Sequence, residues 1–147
     1  ADAAAAARAA ADAAARHFDG LAAAMAARLT NAEGAQRRAV PVRRLDSFEA
    51  ALDADVIKMD VEGFEPTVWR GMDALLARGR ALTIFMEFTI VRLDDPHGFL
   101  DRIAGYGFSL ELVSHNDGIV PISGEALFAM PHDIDHMLVL RRGGVAA

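Results

Sequence analysis

The stretch that decides this chain is Val56-Ile-Lys-Met-Asp-Val-Glu-Gly-Phe-Glu-Pro66. Its first seven residues form an apolar run interrupted at every second position by Lys58, Asp60 and Glu62. In a β-strand, residues two apart share a face, so the three ionisable groups are expected to form one polar ladder on a buried segment, Val56–Val61. Burying charge is costly unless the charge is paired or used, so stability alone gives little reason for the ladder. Gly63 breaks the run, and Pro66 suits the first turn of a following helix. A strand that ends in acids and turns into a helix points to a site at the strand's carboxyl end.

Working outward, Val68, Trp69, Met72, Leu75 and Leu76 recur at helical spacing, and Gly79 stops the pattern. Ala81–Phe88 is almost wholly apolar, as expected of a strand covered on both faces of a parallel sheet. It carries one carboxylate near its end, Glu87. Asp94-Asp95-Pro96 opens another helix, with Phe99, Leu100 and Ile103 inward and Gly105 closing it. Phe108–His115 alternates as a half-exposed strand, and Asn116-Asp117-Gly118 signals a hairpin into Ile119–Ile122. A short helix over Gly124–Met130 and a last strand over His136–Leu140 complete the pattern. Upstream, Ala39–Leu45 reads as an edge strand containing Pro41, and Asp46-Ser47 as the cap of a brief helix through Leu52. The expected fold is therefore α/β: parallel strands with connecting helices and an antiparallel C-terminal edge.

Residues 1–38 are dominated by alanine and read as a helical leader, with residues 143–147 as a tail. Ala1 in place of an initiating methionine suits a fragment or a processed product. No apolar run approaches the roughly 20 residues of a membrane span, and the opening tract lacks signal-peptide order, so a cytoplasmic chain without membrane contact is expected. The formal charge of −6 argues against nucleic acid as a partner. The arginines at 37, 38, 43 and 44 read as a solvated edge rather than a phosphate site. With no cysteine, disulfides and thiolate chemistry are excluded.

In open α/β sheets ligands lie beyond the carboxyl ends of the strands. Asp60 and Glu62 occupy that rim on one strand, and Glu87 occupies it on the expected neighbour about 4.8 Å away. Converging carboxylates raise one another's pKa, bind a cation or accept hydrogen bonds from hydroxyls. Lys58 is placed to pair with Asp60. Trp69 belongs to the core. His132-Asp-Ile-Asp-His136 is interrupted by neighbouring Pro131 and a strand, so no metal site is expected there.

These residues resemble a known family. Val56–Gly63 with the following Phe64-Glu-Pro-Thr-Val-Trp-Arg-Gly71 is similar to the signature of FkbM-type methyltransferases. Val42-Arg-Arg-Leu-Asp46, Phe85-Met-Glu-Phe88, Gly105-Tyr-Gly-Phe108 and Asp133–Leu140 resemble its flanking elements. The resemblance covers roughly residues 39–142 and implies the C-terminal half of a Rossmann-like class I domain. It implies S-adenosylmethionine as cofactor and a hydroxyl of a sugar or polyketide-like metabolite as acceptor. It also implies Asp60 as the base or orienting acceptor, Glu62 and Glu87 as supporting catalytic groups, and Lys58 as a substrate-side anchor. A glycine-rich turn for the cofactor is not found before residue 56, so cofactor-binding residues stay unassigned and the chain alone is expected to bind S-adenosylmethionine poorly. Two other readings remain open: a divalent-metal phosphoesterase using the same acids, and a non-catalytic remnant or interaction domain. Strand edges at residues 39–45 and 108–114 are expected to be exposed and available for a homo-oligomer.

Overall fold

The computed structural model describes residues 41–143. The expectations for the alanine-rich leader and the tail beyond residue 143 lie outside these residues. The unit formed from Arg44 onward is a mixed α/β layer. Its strands are β1 (Val56–Met59), β2 (Leu82–Phe88), β3 (Ser109–Ser114), β4 (Gly118–Pro121) and β5 (His136–Arg142). Its helices are α1 (Glu65–Arg70), α2 (Asp73–Ala77), α3 (Pro96–Gly105) and α4 (Gly124–Phe128).

The sheet order is β1-β2-β5-β3-β4. Among the described residues, only β1 and β2 pair in parallel; every other pairing there is antiparallel. This corrects the expectation of a parallel sheet with an antiparallel edge. The reversed strand β5 is inserted between β2 and β3 instead of lying at the border. Its apolar centre, Met137-Leu-Val-Leu140, explains the position, since Leu138, Val139 and Leu140 are fully buried. A segment of that composition gains most in the middle of the sheet. Because β5 runs against both neighbours, β1, β2 and β3 all point the same way, joined through α1–α2 and through α3.

Several elements depart from the sequence reading for local reasons. Residues 41–44 carry no strand pairing among the described residues, so the 39–45 edge strand is not formed there. Pro41 offers no N–H to a ladder, and the chain is used instead to dock, with Asp46 N donating to Gly71 O at 3.1 Å. The expected helix through Leu52 is two 3-10 turns, Leu45–Ser47 and Glu49–Asp53, without a side-chain cap. Asp46 turns its carboxylate to Arg44 and to the N–H of Ala74. The helix after Pro66 is broken at Gly71-Met72 into α1 and α2. Strand β3 is interior, between β5 and β4, so residues 108–114 are not an exposed edge.

The core lies on one face. Leu82, Ile84, Met86 and Phe88 of β2 and Leu138 and Leu140 of β5 meet Trp69, Met72, Leu76, Phe99 and Ile103 of the helical layer. Trp69 is the hub: its ring meets Phe99, Tyr106 and Phe108 edge-on at centroid distances of 5.6–6.2 Å. The other face of β2, carrying Thr83, Phe85 and Glu87, is only half-buried. Strand β2 therefore alternates where continuous burial was expected. The N-terminus of α3 is fixed by Asp95, whose Oδ1 accepts from Gly98 N at 2.9 Å. No helix among the described residues is long and apolar enough to cross a membrane.

Candidate active site at the carboxylate rim

Strand β1 ends at Met59, so Asp60 and Glu62 stand beyond it and not within a central strand. Among the described residues β1 is an outer strand, bordered by β2 alone. The side chains of Lys58, Asp60 and Glu62 are 63%, 40% and 70% exposed, so the ladder does not carry charge into the core. The buried neighbour is Met59. This removes the burial argument for a site and leaves the convergence of the strand ends to carry it.

Convergence follows from register. Met59 pairs with Met86 across the parallel β1–β2 ladder, so the next residues, Asp60 and Glu87, stand side by side. Glu62 reaches the same place differently. It adopts the left-handed conformation with φ 55°, and Gly63 follows at φ 93°. That turn costs a non-glycine residue about 1 kcal/mol or more. It is closed by Glu65, which is buried and accepts Val61 N at 3.1 Å. Carboxylate oxygens of Asp60, Glu62 and Glu87 consequently lie within 4.8 Å of one another.

Two cations hold this group. Lys58 Nζ lies 2.6 Å from Asp60 Oδ2. Arg92, on the 3-10 turn Ile90–Arg92 that leaves β2, places Nη1 2.6 Å from Glu62, 3.3 Å from Asp135 and 3.5 Å from Glu87. Asp135 precedes β5 and accepts from Thr89 Oγ1 at 2.6 Å. Arg92, Thr89 and Asp135 were not anticipated from the sequence. The available signal was Asp135 at the start of the last strand: a strand running against β2 brings its beginning to the rim where β2 ends.

Glu87 differs from its neighbours. Its side chain is only 14% exposed. Burial, then the charges of Asp135, Asp60 and Glu62, push its pKa above the ordinary glutamate value, and Arg92 offsets part of this. Such a carboxyl binds a proton more readily than an exposed one, which suits it to accept one from a ligand. A divalent cation could also use the three acids, but Arg92 already supplies positive charge among them. His132 and His136 each direct Nε2 to a backbone carbonyl, of Phe128 and of Pro131, and so tie down the loop before β5.

A family model described as the methyltransferase FkbM domain matches residues 5–110. The match includes Lys58, Asp60, Glu62, Glu87 and Arg92 and stops before Asp135. It begins inside the alanine-rich segment, earlier than the resemblance read from individual motifs. No curated protein and no solved structure matches significantly. With most of its length matched, the chain belongs to the FkbM methyltransferase domain family.

Proposed function

We propose that this rim is the acceptor side of an S-adenosylmethionine-dependent O-methyltransferase, and that Glu87 takes the proton from the acceptor hydroxyl. The observation that carries this reading is the meeting of Asp60, Glu62 and Glu87 at strand ends, with Glu87 alone shielded and its pKa raised. The family match supports methyl transfer as the reaction class. Three strands running one way, joined through helices, support a Rossmann-like sheet with its ligand beyond their carboxyl ends.

Asp60, neutralised by Lys58, orients the hydroxyl by accepting its hydrogen bond. Arg92 keeps Glu62 and Asp135 from crowding Glu87 with unbalanced charge. The hydroxyl oxygen becomes a better nucleophile as its proton moves to a Glu87 oxygen. S-adenosylmethionine, when bound, supplies an electrophilic methyl group. Among the described residues no glycine-rich turn follows an apolar strand, and Gly63 stands alone behind β1, so the residues that bind the donor stay unassigned. Sugar or polyketide-like hydroxyl compounds are the acceptors proposed, in the cytoplasm, with neither nucleic acid nor membrane as a partner; any homo-oligomer is proposed to form through strand edges.

Methyl transfer from labelled S-adenosylmethionine to a panel of hydroxylated sugars and polyketides tests this. Glu87→Gln is expected to lower the rate by about 10²–10⁴-fold, the range for loss of a general base. An unchanged rate in Glu87→Gln removes Glu87 from the mechanism.

A further inference from the structure

Strand β5 enters the rim through a loop that is held there more than once. Val91 N donates to His132 O at 3.2 Å. His136 directs Nε2 to Pro131 O at 2.8 Å and pairs with Phe88 at the end of β2. These ties fix where the Asp135 backbone stands without calling on its side chain. The carboxylate is fixed separately: Oδ1 accepts from Thr89 Oγ1 at 2.6 Å and lies 3.3 Å from Arg92 Nη1.

The Thr89 hydroxyl has a local task that it does not perform. Thr89 is the N-cap of the 3-10 turn Ile90–Arg92, where a threonine ordinarily accepts a backbone N–H through its side chain, yet no such bond is made. Thr89 is buried, and its hydroxyl donates across the rim to the entrance of another strand. A buried hydroxyl needs a partner, and a backbone carbonyl would serve. The partner here is a charged group that shares Arg92 Nη1 with Glu62 and Glu87. Asp135 therefore competes with Glu87 for this cation and places its own negative charge close by.

We propose that Thr89 and Asp135 are a positioning pair for the proton-transfer step: the buried hydroxyl holds the Asp135 carboxylate at the rim, and Asp135 keeps Arg92 shared among the acids around Glu87. The role in methyl transfer rests on the acceptor-side reading above; the coupling between these groups does not. A carboxylate with a second negative charge beside it and its cation shared holds a proton more firmly, so the pair strengthens Glu87 as a proton acceptor. The ionisable groups acting on Glu87 are Asp60 and Glu62 from the turn leaving β1, Arg92 from the turn leaving β2, and Asp135. Met137, its partner on β5, carries no charge. Asp135 lies beyond residues 5–110 of the family match, so the last strand contributes to the site from outside the matched segment.

The test follows the Glu87 side-chain carboxyl carbon by NMR titration in the full 147-residue chain and its variants. Asp135→Asn removes the charge from a side chain that is 49% exposed, so it is expected to fold and to lower the Glu87 midpoint. Thr89→Val removes the hydroxyl at nearly constant shape. The released Asp135 carboxylate then turns into water, and most of the same downward shift is expected. Thr89→Ser restores the hydroxyl and is expected to restore the parent midpoint. Adding Thr89→Val to Asp135→Asn is expected to change nothing further, which separates a pair acting as a unit from a loss of packing. A midpoint unmoved or raised in Thr89→Val, or lowered equally with and without the Asp135 carboxylate, overturns the pair. Should Thr89→Val not fold, an unmoved midpoint in Asp135→Asn overturns it as well. The titration needs neither methyl donor nor acceptor, so its failure removes the pair and leaves Glu87 to the methyl-transfer assay.

Discussion

Arg92 Nη1 lies 2.6 Å from Glu62 Oε2, across the gap between the turn leaving β1 and the turn leaving β2. The bridge joins a residue in left-handed backbone to one on a 3-10 turn, and neither belongs to a strand. Both side chains are substantially exposed, so the bridge contributes at most about 1 kcal/mol to stability. Its consequence is electrostatic: the same guanidinium faces Glu87 and Asp135.

Arg92→Met is therefore expected to raise the pKa of Glu87 further, because Arg92 is the one charge that lowers it. Arg92→Lys should restore part of the difference, since an ammonium carries the charge but not the planar fork. Carboxyl-carbon NMR titration of the two variants reads this directly. An unmoved Glu87 in Arg92→Met contradicts the assignment.

The raised pKa of Glu87 has a sign in stability. The folded state holds the Glu87 proton more tightly than the unfolded chain, so stability falls as pH rises from the unfolded to the folded pKa. The penalty is absent below that window and complete above it. Glu87→Gln removes it and is expected to be more stable than the parent at pH 7, with a weaker loss of stability on raising pH from 4 to 7. Urea unfolding at several pH values measures both. Destabilisation at pH 7 contradicts the shielding argument.

The opposite sign holds at Asp46. Its hydrogen bonds from Arg44, with help from Ala74 N, outweigh burial and lower its pKa. That stability is present above the unfolded carboxyl pKa and is lost as pH falls through the folded one. Asp46→Asn is expected to cost about 1–3 kcal/mol at pH 7, as for loss of a hydrogen-bonded charged group. It should also flatten the acid side of the stability profile. A profile indistinguishable from the parent's rules this out.

Gly98 tests the cap of α3. Helix propensity alone favours Gly98→Ala by about 0.5–1 kcal/mol. A Cβ at this position, however, meets the Asp95 carboxylate, which must move and release Gly98 N. Gly98→Ala is therefore expected to be destabilising, and Asp95→Ala to cost about 1 kcal/mol. Thermal melts that show Gly98→Ala gaining stability contradict the cap geometry.

The core permits a larger effect. Trp69 is fully buried at the meeting of three aromatic rings, and Trp69→Ala is expected to cost about 3–5 kcal/mol in urea unfolding. A cost below 1 kcal/mol contradicts its place as the core's hub.

The sequence made local structure legible wherever period and punctuation agreed. Asp95-Pro96 announces α3, Asn116-Asp117-Gly118 announces the β3–β4 turn, and Trp69 declares itself as core. Long-range order was not legible, because nothing local to Met137–Leu140 says that β5 lies between β2 and β3. That insertion hid Asp135 from the sequence reading. The acids Asp60, Glu62 and Glu87 were found through their position at neighbouring strand ends; the burial expected for the ladder was not met, and the left-handed turn that brings Glu62 in was not legible. Arg92 gave no signal because a single arginine after a strand has no pattern to detect.

The most direct test is the titration of Glu87 in the parent chain, followed by its side-chain carboxyl carbon and repeated in Asp60→Asn. The expected result is a midpoint above the ordinary glutamate value that falls when the neighbouring Asp60 charge is removed. A midpoint at or below the ordinary value, unchanged in Asp60→Asn, contradicts the convergent site at its centre.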